Sequence, residues 1–142
     1  IAPMATTDPD CIFCKIASGE IGARVVHCDK HAIAFLDMAP WHEGHTVVVP
    51  RHHVKDVLDE PTALAEIAPA VSATAKLLVD RLGADGINVL SNAGEVAGQT
   101  VFHLHVHLVP RYAAEPGIGA LVQQRDPGDL DAVLARLTNG QS

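Results

Sequence analysis

Apolar and polar residues alternate strictly along one stretch of this chain. In Phe102-His103-Leu104-His105-Val106-His107-Leu108-Val109-Pro110 the even positions are apolar or proline, and positions 103, 105 and 107 carry imidazole. Successive side chains of a strand point to opposite faces. The pattern therefore predicts a strand over 101–109, with Phe102, Leu104, Val106 and Leu108 toward the core. His103, His105 and His107 then form a row on the other face, spaced about 6.6 Å apart at ~3.3 Å per residue. Shorter β-branched or apolar runs predict strands over 24–28, 32–36, 46–49 and 87–90, with Asp29-Lys30 as a turn. Apolar positions Leu64, Ile67, Val71, Leu78 and Leu82 recur at helical spacing, and Glu60-Pro61 and Gly83 bracket a long helix over 62–82. Pro69 is expected to kink or split it. Residues 11–17 read as a compact turn or short helix, 38–44 and 91–98 as loops, and 126–137 as holding a second helix. The whole is an α+β arrangement: an antiparallel sheet with helices packed on one face.

The 142 residues bound this to one domain, with 48% hydrophobic and 19% charged residues marking a globular chain. No apolar run reaches the roughly 18 residues that span a bilayer, so no membrane partner is expected. Residues 1–9 read as a flexible tail without a secretory signal, and Ile1-Ala2-Pro3 ahead of Met4 as a cloning remnant. Three cysteines without a signal argue for a reducing, cytoplasmic setting. The net charge of −7 disfavours a nucleic-acid partner. The charge of any anionic ligand must be met locally, by backbone amides and imidazoles.

A row of histidines on one strand face concentrates nucleophiles, proton carriers and metal ligands where folding alone gives no reason for them. Cys11-Ile12-Phe13-Cys14 is a C-x2-C pair. As a redox pair it should follow a strand, which it does not. As half of a zinc site it needs two more nitrogen or sulfur ligands. Cys28 stands alone and reads as a small core residue. In Asn92-Ala93-Gly94-Glu95-Val96-Ala97-Gly98-Gln99-Thr100, glycine lets the backbone approach a ligand, and Gln99 and Thr100 offer donors to an oxyanion.

Together these residues resemble the histidine triad (HIT) family. The resemblance rests on Gly44-His45-Thr46-Val47-Val48-Val49-Pro50 with His53, and on Gly98-Gln99-Thr100-Val101-Phe102-His103-Leu104-His105-Val106-His107. Cys11-Ile12-Phe13-Cys14-Lys15-Ile16 and Phe35-Leu36-Asp37 fit bacterial members. It covers residues 10–112 as a HIT domain and leaves 113–142 as a C-terminal extension containing a helix. It implies a homodimer that binds a purine nucleotide and acts at its α-phosphate. His105 would be the nucleophile, His107 would bind the phosphate, and His45 would stand behind it. Asp37 would hold the ribose, Phe13 and Ile16 the base, and Asn92, Gly98, Gln99 and Thr100 the phosphate side. Zinc-bearing relatives, and the similar galactose-1-phosphate uridylyltransferases, imply one structural zinc per chain on Cys11, Cys14, His53 and His103.

The function expected is that of a nucleotide hydrolase or transferase. Its substrates would be adenosine phosphoramidates, or other adenylylated or dinucleotide compounds, processed through a covalent nucleotidyl-histidine. A neutral imidazole serves as that nucleophile once its other nitrogen is tied to an acceptor such as a backbone carbonyl. Two other readings stay open: a zinc-dependent hydrolase using an H-x-H pair to activate water, and a non-catalytic nucleotide sensor.

Overall fold

Runs of valine, isoleucine, alanine and phenylalanine pair into a sheet wherever both faces are to be covered. The computed structural model describes residues 8–122 and 125–139. Within them lie α1 (Ile12–Ala17), β1 (Val25–Cys28), β2 (Ala32–Leu36), β3 (Thr46–Pro50), α2 (Ala63–Leu82), β4 (Gly86–Leu90), β5 (Val106–Arg111) and α3 (Leu130–Thr138). The strands form one five-stranded sheet in the order β1-β2-β3-β5-β4, antiparallel throughout. Most of the expected 1–9 tail, residues 1–7, lies outside the described residues.

Every residue of β2 and β3 is buried, because the sheet is covered on both sides. Ala32, Ala34, Leu36, Val48, Val106 and Leu108 meet α2 through Ile67, Ala70 and Leu78, and α3 through Val133 and Leu137. On the opposite face Ile33, Phe35, Val47 and Val49 pack under Phe13, Ile16 and Ala17. Helices are thus not confined to one face: α1 covers part of the second. The C-terminal helix α3 also packs into the main core, through Val133 and Leu137.

Pro69 does not split α2, which runs on from Ala63 to Leu82. The residue is exposed, so the carbonyl it deprives of a partner can turn to water. Leu64 is exposed and Val71 only half-buried, and the buried stripe runs Ala63, Ile67, Ala70, Thr74, Leu78, Leu82. Cys28 is exposed, not core. The histidine strand is shorter than its alternation implies. Residues 101–103 bend, and regular pairing begins only at Val106. Leu104, Val106 and Leu108 do reach the core, while Phe102 stays exposed.

Candidate active site and metal centre

The register fixes the site's face. Phe35 pairs with Val47, and Val47 with His107, so these side chains share the side covered by α1. His103 ends the bend and His105 lies just before β5, and all three histidines are buried. Gly44 turns the chain into β3 with φ +88° and lies against Leu82 and Pro110, where a Cβ would collide. This turn delivers His45 to the back of the row.

Hydrogen bonds assign each imidazole a tautomer, since a carbonyl only accepts and a backbone N–H only donates. His105 Nδ1 donates to the His103 carbonyl at 2.8 Å, which leaves the lone pair on Nε2. The His105 carbonyl is held in turn by the Ser91 hydroxyl at 2.7 Å. The Trp41 N–H donates to His45 Nδ1 at 3.0 Å, so His45 carries its proton on Nε2. That proton goes to His107 Nδ1 at 2.9 Å, and His107 therefore presents Nε2–H as a donor. The Trp41 indole stacks on His107 with centroids 4.8 Å apart and leans on His45 at 4.7 Å.

Burial keeps these rings neutral. Desolvation, followed by the charge of neighbouring histidines, pushes His107 down to about 3 and His45 down to about 4. His105 is also lowered by desolvation, with the His103 carbonyl and Asp37 opposing. Desolvation raises Asp37. Its Oδ1 accepts from the Ala39 N–H at 2.8 Å, a turn contact, while Oδ2 lies 3.7 Å from His45 Nε2.

In front of the row lies a cleft of about 520 Å³, large enough for a nucleotide-sized ligand. His105 and His107 stand on its wall with Asp37 and Thr100, and Phe13, Ile16, Phe35 and Val47 supply apolar lining. Phe13 sets its ring edge-on to His105 at 5.1 Å. Arg24 and Asp131, joined at 2.7 Å, also line it, so α3 contributes to this wall.

Three predicted phosphate-side residues do not line this cleft. The Gln99 amide is spent within the protein: Oε1 accepts from the Gly94 N–H, and Nε2 donates to the carbonyls of Lys55, beyond β3, and Val101. Gln99 is a buried brace for the glycine loop, since each of its polar atoms already has a partner. Asn92 lies beside Gly98, whose φ is +104°, and neither borders the cleft. Trp41 and Ser91 carry site geometry that the sequence reading missed. The lone tryptophan four residues before His45 was the available signal for the first.

Behind the row, Cys11, Cys14, His53 and His103 bring their ligand atoms within 4.8 Å of one another. His103 Nε2 donates to the Pro50 carbonyl at 2.9 Å, which frees Nδ1 to face both sulfurs at 3.4 Å. His53 Nδ1 lies 3.3 Å from Cys14 Sγ. A tetrahedral zinc with bonds of about 2.3 Å to sulfur and 2.0–2.1 Å to nitrogen sets such N···S edges at about 3.6 Å. The donor set and its spacing fit that ion. Without a cation, desolvation raises the Cys14 thiol to about 11. Among the described residues His105 belongs to no group of converging ligand atoms, whereas Asp37, His45 and His107 form one beside it.

A model of the HIT domain matches residues 18–114. The chain belongs to the HIT family. One relative is a HIT-like protein of Methanocaldococcus jannaschii, 42% identical over 128 residues and covering 89% of this chain and 98% of its own. The adenosine 5'-monophosphoramidase of Saccharomyces cerevisiae is 38% identical over 114 residues, 80% of this chain and 70% of that one. A zinc-bound histidine triad protein of Mycobacterium smegmatis superposes with a TM-score of 0.80 at 36% identity, covering 90% of each chain. The HIT fold and a Cys2His2 cluster suited to a metal are thus features of this chain, which is similar to a family member named as an adenosine 5'-monophosphoramidase.

Proposed function

We propose that this HIT protein is a nucleotide hydrolase or transferase acting at the α-phosphate of adenosine phosphoramidates or related adenylylated or dinucleotide substrates. The observation that carries the reading is the tautomer of His105, whose Nδ1 is committed to a carbonyl and whose Nε2 lone pair is left at the cleft. Nε2 attacks phosphorus and forms a P–N bond. The leaving group departs with the old bonding pair and takes a proton from water. A water molecule then attacks the same phosphorus, the P–N pair returns to Nε2, and one proton is released. His107 donates Nε2–H to the phosphoryl oxygen as charge builds there. Thr100 adds a donor on the phosphate side, with Asn92 and Gly98 shaping the loop that carries it. Phe13 and Ile16 hold the purine, and the free Oδ2 of Asp37 accepts from the ribose.

Cys11, Cys14, His53 and His103 would hold one zinc per chain. With four protein ligands it leaves no open position for water, so its contribution is structural: it ties α1 and the chain before β5 together. The protein acts as a homodimer, through the exposed alanines of α2 and the edge strand β4 near Asn92. Its unpaired cysteine thiols suit a reducing, cytoplasmic setting. Light scattering that returns a monomer at micromolar concentration removes the dimer.

The direct test is paired. His105→Ala should lower kcat on an adenosine phosphoramidate by several orders of magnitude while zinc content and AMP binding are retained. Mass spectrometry of the quenched parent protein should show an adenylyl group on His105. Near-normal turnover in the variant overturns the mechanism.

A further inference from the structure

A second cluster of ligand-type side chains lies outside both the cleft and the thiolate pair. His52 follows β3, Glu60 precedes α2, and Glu66 sits in the first turn of α2, with ligand atoms all within 4.8 Å of one another. His31, in the turn between β1 and β2, brings Nδ1 to 3.6 Å from Glu66 Oε2. The sheet puts these groups side by side. Ala32 pairs with Pro50, and just beyond the ladder the Arg51 N–H donates to the His31 carbonyl at 3.0 Å. His31 and His52 therefore emerge from neighbouring strand ends, over the start of α2.

The cluster's charge is unbalanced by any fixed cation. Among the described residues the ion-pair partners of Glu60 and Glu66 are His52 and His31, not lysine or arginine. Arg51 is committed elsewhere, to the carbonyls of Asp29 and Ala17. An imidazole and two carboxylates, with a second imidazole beside Glu66, are a donor set for zinc-like divalent cations, whereas calcium and magnesium take oxygen alone. Bonds of about 2.0–2.2 Å at tetrahedral angles place donor atoms about 3.4 Å apart. The 3.1 Å between His52 Nε2 and Glu60 Oε2 and the 3.6 Å between His31 and Glu66 lie on either side of that value. All four side chains remain partly exposed, so an ion can enter without the fold opening.

We propose that His52, Glu60 and Glu66 form a second binding site for a divalent transition cation, separate from the cysteine centre, with His31 beside Glu66 at its rim. The ion would clamp the N-terminus of α2 to the ends of β2 and β3. His52 neighbours His53 in the chain, so this clamp steadies the segment that also feeds the cysteine centre.

The test uses the full, untagged chain, dialysed against zinc at about 50 μM free ion, with bound metal counted by mass spectrometry. The expected result is one more ion per chain in the parent than in Glu60→Gln/Glu66→Gln, whatever the occupancy of the cysteine centre. Both substitutions keep side-chain shape and avoid the neighbour of His53. Cobalt added to zinc-loaded parent should give weak d–d absorption without the intense thiolate-to-cobalt band. His31→Ala should weaken that cobalt binding by a smaller factor than Glu60→Gln/Glu66→Gln. Equal zinc counts in parent and double variant overturn the proposal, as does a thiolate band accompanying the added cobalt. Loss of zinc from Cys14→Ser with the extra ion retained separates the two centres.

Discussion

Gly44 shows how much of the site depends on one residue with no functional group. Its positive φ already disfavours any side chain, and a Cβ would strike Leu82 in α2 and press on Pro110 in β5. Gly44→Ala is expected to cost about 2–4 kcal/mol in urea denaturation, through both backbone strain and overpacking. It should also lower kcat, because His45 is the next residue. His107 gives the complementary case. It supplies a donor and not the attacking atom, so His107→Ala should reduce kcat by a smaller factor than His105→Ala. Equal losses in the two variants would mean that the stack of Trp41, His45 and His107 positions the nucleophile itself. At this scale the sequence is informative about position: His105 and His107 stand side by side, the cysteine pair meets His53 and His103, and Asp37 lines the cleft. An amide looks alike in sequence whether it serves a ligand or braces a loop, and the three bonds of Gln99, with Gly94, Lys55 and Val101, exist only once the chain is folded.

Among the elements, the departures have the same kind of cause. The alternation over 101–109 was real, yet only its second half pairs in the sheet, since the first half bends to bring His103 under the cysteines. Contact of His103 with the two cysteines takes the place of strand pairing there. Phe102 pays for the bend with exposure. In α2 the apolar letters of the sequence pointed to Leu64, but the buried face contains Ala63, Ala70 and Thr74 instead. Close approach to β2 and β3 favours small residues, and a stripe of small side chains has little hydropathic signature. Thr74 is wholly buried, with Oγ1 lacking a hydrogen-bond partner. Such a group costs about 1–3 kcal/mol. Thr74→Val, nearly the same shape without the hydroxyl, should therefore raise stability by about 1 kcal/mol. Thermal denaturation checks the sign, and a fall in Tm would show that the hydroxyl has a partner in solution.

For the molecule as a whole, the site is a set of neutral rings enclosed by a fold that must keep them neutral. His45 and His107 titrate in the folded state at about 4 and about 3, well below the ordinary imidazole value of 6.5. An unfolded chain binds protons on both rings as the pH falls through about 6.5, while the folded chain refuses them. The unfolded state then holds more protons than the native state, so stability rises with pH across this interval and falls on acidification. The contribution is complete above about pH 7 and is lost progressively as the pH drops toward 4. His105 and Asp37 face the pair, and His42 bears on His45. All three remain when the pair is replaced. In His45→Asn/His107→Asn, the asparagines preserve polarity and remove the titration. Urea unfolding of parent and variant at about pH 7.5 and about pH 5.5 separates this effect from the carboxylates common to both. The parent should lose distinctly more stability between the two conditions than the variant, even if the variant starts lower. Equal losses would mean that the two rings accept protons in the folded protein, and that His107 meets a phosphate as a cation and not as the neutral donor its hydrogen bonds describe.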